Sequence, residues 1–178
     1  WSRREIAILY RTHAQSRVLE EAMRASRLPY KIVGGLKFFD RAEVKDLLAY
    51  LRIVVNPKSD VDLLRVINVP ARGIGGTTVE RLQATATSNR RSVLDTVRSV
   101  ASGELDAGVG TGPRKKLQTF VQIVDALTHE HDAGMLPSEL AEKALELTGY
   151  EAALRAEDND EADTRLQNLG ELVGSIRD

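Results

Sequence analysis

The chain has 178 residues and a formal net charge of −1, with 42% hydrophobic, 29% charged and only 4% aromatic residues. That is enough apolar material for one core, built from Leu, Val, Ile and Ala, which favours packed helices over a β-sandwich. With no cysteine in the sequence, disulfides, zinc ribbons, iron–sulfur centres and thiol catalysis are excluded. No apolar run reaches the ~18 residues of a membrane span, so the expectation is a cytoplasmic protein without a membrane partner.

The net charge hides a division along the chain. Residues 1–103 carry 18 Lys/Arg against 10 Asp/Glu, a net +8, whereas residues 104–178 carry 7 against 16, a net −9. Such asymmetry suits one face for a polyanion and another for solvent or a basic partner.

Residues 5–10, Glu-Ile-Ala-Ile-Leu-Tyr, read as a buried strand almost without lead-in. A buried strand needs neighbours on both sides and the chain supplies few, so the sequence reads as a piece of a longer protein; Trp1 is no initiator. Residues 14–26 have Val18, Leu19, Ala22 and Met23 at helical spacing. Leu28-Pro29 ends that helix and residues 30–33 form a second short strand. Gly34-Gly35 then breaks the pattern as a boundary or hinge should.

Everything beyond reads as helix: 41–55, 60–68, from about 77 through 86, 92–100, a long one marked by Leu117, Phe120, Val124 and Leu127, 137–147, and a last one marked by Leu166, Leu169, Leu172, Val173 and Ile176. Residues 102–113 read as a glycine-rich loop. The predicted fold class is mainly α: a helical domain over 34–178, preceded by a strand–helix–strand stub over 1–33.

The chemical inventory is thin. His129 and His131 lack the i, i+4 spacing that aims two imidazoles at one zinc ion, so no metal site is expected. Gly108-Val-Gly-Thr-Gly-Pro-Arg-Lys-Lys116 superficially resembles a phosphate loop, but Pro113 stands where G-x-x-x-x-G-K-[ST] needs its second glycine, and no strand precedes it. No catalytic residue is assigned.

The most informative segment is Val69-Pro-Ala-Arg-Gly-Ile-Gly-Gly-Thr-Thr78. Glycines permit the positive φ of a tight turn and the close approach of another backbone, while the apolar residue between them faces the core. The helix beginning there points free N–H groups outward, where a phosphate is the natural ligand. This is a helix–hairpin–helix-like layout that holds nucleic-acid backbone without reading bases. Arg72, Gly73, Ile74, Gly75, Thr77 and Thr78 are the candidate duplex-backbone residues; the alternative is an ordinary glycine turn with a Thr cap.

Two further clusters stand out. In Tyr10-Arg-Thr-His-Ala-Gln-Ser-Arg17, Arg11 can grip a phosphate and His13 can stack on a base; equally, Tyr10 can be core and Ser16 a helix cap. In Lys37-Phe-Phe-Asp-Arg41, the phenylalanines are either a stacking platform or, the favoured reading, one packs at the junction of the two parts while Arg41 and Glu43 pair on the surface.

Together these blocks resemble superfamily-one DNA helicases of the UvrD, PcrA and Rep type. The similar stretches are Ala7-Ile-Leu-Tyr-Arg-Thr-His-Ala-Gln-Ser-Arg-Val-Leu-Glu-Glu21, the stretch from Leu28 to Arg52, Leu64-Arg-Val-Ile-Asn-Val-Pro-Ala-Arg-Gly-Ile-Gly75 and Thr164-Arg-Leu-Gln-Asn-Leu-Gly-Glu-Leu-Val173, in family order. The resemblance implies that residues 1–33 close the first stretch of the second motor domain (2A), and that 34–178 form the mobile 2B subdomain, hinged near Gly34 and Gly35. It implies single-strand contact at Arg11, with His13 in place of the family's asparagine, and a duplex grip at the glycine turn. ATP and Mg²⁺ would belong to the parent helicase, which would step 3′ to 5′ along one strand; the motifs for both lie outside this chain, which should hydrolyse nothing alone. Implied partners are a single-strand/duplex DNA junction, the motor domains of the same chain, and repair or replication proteins, in a bacterial, nucleoid-associated setting. A regulatory docking module, and part of a helicase–nuclease subunit, are the alternatives.

Overall fold

A computed structural model describes residues 2–11, 15–33 and 35–177. Its architecture is mainly α, as the sequence predicts, with no β-ladder among the described residues.

The two expected strands are the main correction. Residues 6–10 have no regular secondary structure, and Ile6 is 62% and Leu9 94% exposed; Val33, in the second segment, is 86% exposed. Their apolar alternation encodes strands, yet a strand is completed by neighbours, and no described residue supplies one. The helix between them, α1 (Ser16–Ala25), is inverted in the same sense. Val18 and Ala22 of its apolar stripe are exposed, and its buried residues are polar, Ser16 and Glu20.

The helical body is built around α2 (Ala42–Val55), whose Val44, Leu47, Ile53 and Val54 recur at helical spacing and are buried. It packs on α3 (Asp60–Val66), α6 (Thr111–Asp132), α7 (Pro137–Thr148) and α9 (Asp160–Arg177). Helix α4 (Gly76–Ser88) leads to α5 (Val93–Ser102), which lies along α6. Ser92 caps α5 by accepting the Asp95 N–H at 3.1 Å, and Gly103 ends it at φ +88°. One short helix escaped the sequence reading: α8 (Tyr150–Arg155), set off from α7 by Gly149 at φ +69°.

The expected loop over 102–113 is shorter than predicted, because α6 starts at Thr111. Pro113 is its third residue, where the missing N–H costs nothing, since the first-turn donors have no helical acceptor anyway. Leu117, Phe120, Val124 and Leu127 are completely buried. His129 and His131 are exposed in the last turn of α6.

One part of the favoured reading of Phe38 and Phe39 holds, that one of them packs inside: Phe38 is fully buried and meets Phe39 edge-on, with ring centroids 5.1 Å apart. The expected surface pairing of Arg41 with Glu43 does not occur. Both are buried, and Asn168 of α9 joins them. Its Oδ1 accepts from Arg41 at 2.6 Å, and its amide donates to Glu43 at 2.7 Å. Arg41 also donates to Ser16 Oγ of α1 at 2.7 Å and lies 5.2 Å above the Phe38 ring. Ser16 donates to Glu20, whose carboxylate accepts the Phe38 N–H. Ser16 is therefore a member of a buried network and not a cap.

Candidate nucleic-acid interface

The turn between α3 and α4 is held from inside by side chains. Asn68 Oδ1 accepts two turn amides, Arg72 N–H at 2.9 Å and Ile74 N–H at 3.0 Å. Ile74, 2% exposed, plugs the core as the sequence predicts. Gly73 has φ +70°, the left-handed region where glycine is favoured. Gly75 does not: at φ −77° and ψ 163° it is the N-cap of α4. A Cβ placed on Gly75 or Gly76 would meet nothing within 4 Å, so the backbone there faces open space.

No side chain caps α4, so the expected alternative of a Thr cap does not describe this turn. Gly75 carbonyl accepts Thr78 N–H at 3.0 Å and Val79 N–H at 3.2 Å. No described residue accepts from the amides of Gly76 and Thr77. Thr77 is exposed and Thr78 half-buried.

Arg72 is turned inward. Its guanidinium donates to the carbonyls of Val69 at 2.8 Å, Pro70 at 3.2 Å, Val66 at 3.4 Å and Thr148 at 3.4 Å. It also lies over the rings of Tyr50 (5.9 Å) and Phe120 (5.8 Å). Tyr50 hydroxyl donates to the carbonyls of Val66 (3.1 Å) and Val69. Burial pushes that phenol up to about 12, so it stays a donor across the physiological range.

A second turn of the same construction lies beside the first, and sequence reasoning missed it. Gly108-Val109-Gly110 repeats Gly73-Ile74-Gly75: a glycine at positive φ (+66° at Gly108), a buried apolar plug (Val109, 6% exposed), then a glycine N-cap at the start of a helix. The two are braced reciprocally. Lys116 of α6 donates to the Gly73 carbonyl at 3.0 Å, and Arg81 of α4 donates to the Gly108 carbonyl. The repeated Gly-(Ile/Val)-Gly was the available signal. It was hidden because 35 residues separate the copies and because the second was tested only as a nucleotide loop.

The brace also redraws the charge map. Arg114, Lys115 and Lys116, three of the seven cations in the acidic half, fall in the first two turns of α6, beside the basic turn. Neither α4 nor α6 has an acidic residue in its first turn. Cations at a helix N-terminus oppose the macrodipole, each at about 0.3–1 kcal/mol, and a bound anion would offset that cost.

Arg11 is exposed, and its backbone N–H donates to Gln15 Oε1 at 3.0 Å. It belongs to the α1 end of the molecule, which is tied to the body through Arg41 and through Arg17, whose Nε donates to Glu171 of α9 at 3.0 Å. His13 and Gly34 lie outside the described residues; Gly35 is exposed.

Comparison with known proteins gives the family. Residues 2–178 match the family of the UvrD-like helicase C-terminal domain. The chain is 43% identical over 169 residues to the ATP-dependent DNA helicase PcrA of Bacillus subtilis, covering 95% of this chain and 22% of that protein. It is 42% and 41% identical over 175 residues to the PcrA helicases of Staphylococcus epidermidis and Staphylococcus aureus, in each case 98% of this chain and 23% of the relative. The chain thus spans less than a quarter of the length of these curated relatives. A match over essentially its whole length places the chain in the UvrD-like helicase C-terminal domain family.

Proposed function

We propose that this chain is the DNA-gripping part of an ATP-dependent DNA helicase, holding duplex backbone through the paired glycine turns. The observation that carries the reading is the uncapped start of α4 at Gly75–Gly76, open to solvent and braced to the equally uncapped start of α6 with its three cations. The Gly76 and Thr77 amides donate to one phosphate, with the Thr77 hydroxyl beside them. The α6 turn, with Lys115 and Lys116, takes a neighbouring phosphate. Backbone amides read no base, so the grip is independent of sequence and moves with the fork. Ile74 acts through packing and Arg72 from behind the turn. Arg11 and His13 remain the proposed single-strand contacts.

Residues 1–33 are assigned to the motor domain 2A and 34–178 to the mobile subdomain 2B, with the hinge near Gly34 and Gly35. The contacts that cross this boundary include hydrogen bonds of Ser16, Arg17 and Glu20 and the stacking of Arg24 on Phe39 and of Lys37 on Tyr30, and the hydrogen bonds are exchanged for water at little cost when two bodies separate. ATP and Mg²⁺ do not fit the residues present. The Gly108–Lys116 stretch has Pro113 in its helical first turn and its Gly108 carbonyl is engaged by Arg81. Among the described residues, no group of His, Asp and Glu could hold a metal ion. The ATP chemistry therefore belongs to the remainder of a parent helicase.

The test is fluorescence anisotropy of a labelled single-strand/duplex junction at several salt concentrations, with wild type and Gly75→Val. The open space around Gly75 and its ordinary φ let the fold accept valine, while the side chain fills the phosphate approach. The expected result is salt-dependent binding that falls about tenfold or more in the variant. Equal binding by both proteins, or none by wild type at low salt, would sink the reading.

A further inference from the structure

We infer that Arg72 and Asn68 are positioning residues of the proposed phosphate grip, and that neither touches DNA. The inference rests on the reading above and assigns Arg72 a role opposite to the one its charge suggests. An arginine flanking a glycine turn is the first candidate for a phosphate contact, but both terminal nitrogens of this guanidinium are engaged inside the protein. Four carbonyls on two sides of the turn accept from Nη1 and Nη2, and the group lies within 6 Å of two aromatic rings. Redirecting it outward would leave the Pro70 carbonyl without its donor, take from the Val69 carbonyl one of its two donors, and uncover the Tyr50 and Phe120 rings.

Asn68 is the complementary half. Its carbonyl oxygen takes the Arg72 and Ile74 amides, while Arg72 takes the carbonyls of the strand of chain just before them. Between them the two side chains satisfy the inward-facing backbone from Val66 to Ile74. The turn therefore keeps its shape without a ligand, and the Gly76 and Thr77 amides are held ready. Loss of either side chain leaves α4 intact but lets the turn relax, so the amides must be ordered again on binding. The second turn has no such pair: its brace is Arg81, and its Gly108 amide donates to Asp106. It serves as an internal control.

The experiment is a titration of the ¹⁵N-labelled chain with a short duplex, followed by amide shifts and the Arg72 side-chain Nε–H, and by affinity against salt, for wild type, Arg72→Lys and Asn68→Ala. In wild type, the Gly76, Thr77 and Thr111 amides shift while the Arg72 Nε–H stays in place. Each variant loses about fivefold in affinity, the weight of one or two net hydrogen bonds. The slope of log affinity against log salt is unchanged, and the response fades at residues 76–77 but not at 111–112. Lysine keeps the charge yet cannot fork, so it gives no rescue.

A moving Nε–H in wild type, or an affinity that Arg72→Lys leaves unchanged, would make Arg72 a direct charge contact and overturn the inference. Equal loss at both turns would make the pair merely structural and overturn it as well. The wild-type Nε–H decides the case even if a variant does not fold. A wild type whose amides do not respond at either turn refutes the underlying reading, which the variants alone would not do.

Discussion

Arg41 and Arg72 invite comparison, because each guanidinium is turned inward onto acceptors of the protein itself. At the α1–α9 junction, Arg41 donates to side chains, Ser16 and Asn168, on two elements far apart in sequence. At the α3–α4 turn, Arg72 donates only to carbonyls, three of them within six residues of itself. Each guanidinium also faces an aromatic ring. Arg41 therefore joins pieces of the molecule, whereas Arg72 shapes one piece. The lesson is that a buried arginine's role is set by what accepts from it. Helix α2 connects the two regions, beginning next to Arg41 and carrying Tyr50 beneath Arg72.

The comparison breaks most visibly at Arg41. Arg41→Met should lower stability by about 3 kcal/mol, since it leaves Asn168 Oδ1 without its donor and removes the buried cation that faces Glu43 and Glu20. Urea unfolding with an unchanged m-value is the check; a loss below about 1 kcal/mol would make the junction a surface feature. Gly73→Val comes next, at about 2 kcal/mol, from a β-branched residue at φ +70° and the displacement of the Lys116 ammonium from the Gly73 carbonyl. The same measurement on Gly73→Ala should recover part of that loss.

Tyr150→Phe probes α2 between the two regions. The Tyr150 hydroxyl donates to buried Asp46 at 2.8 Å, and Arg65 pairs with the same carboxylate at 2.7 Å. Desolvation raises the Asp46 pKa, while Tyr150 and Arg65 pull it down. A carboxyl whose folded pKa is raised adds stability below its unfolded value and loses it as pH climbs through the folded one. Removing the hydroxyl raises the pKa further. The variant should lose about 1 kcal/mol at neutral pH, and less as pH falls toward the ordinary Asp range; a deficit that grows with acidification would contradict this. Smallest of all is Gly75→Ala, expected to change stability by less than about 0.5 kcal/mol while weakening duplex binding. Thermal unfolding beside anisotropy separates the two, and a large stability loss would show that Gly75 is needed for the fold.

Much of the helical body was legible because its signals are local. Val44, Leu47 and Val54 repeat at helical spacing, Asn56-Pro57 stops that helix, and Ile74 stands between glycines in a basic stretch. The α1 region was misread because the same signals carry no statement about partners. The apolar residues of 6–10 and the Val18 stripe declare a face to be covered, and whether it is covered depends on neighbours. Ser16 and Glu20 look like surface residues until Arg41 and Phe38 meet them.

By itself, then, the sequence determined the helical class, the positions of most helices, the Gly73–Gly75 turn and the family resemblance. Spacing, capping and glycine placement act over a few residues and need no knowledge of the fold. Only the tertiary structure decided that Arg72 faces inward, that Gly73 rather than Gly75 needs its missing side chain, and that a second Gly-x-Gly turn lies against the first. Those outcomes depend on which groups 40 to 80 residues away arrive as donors or acceptors: Lys116 reaches Gly73 across 43 residues, and the Thr148 carbonyl meets Arg72 across 76. Hydrogen bonds of that reach are specified by packing, which no local pattern encodes.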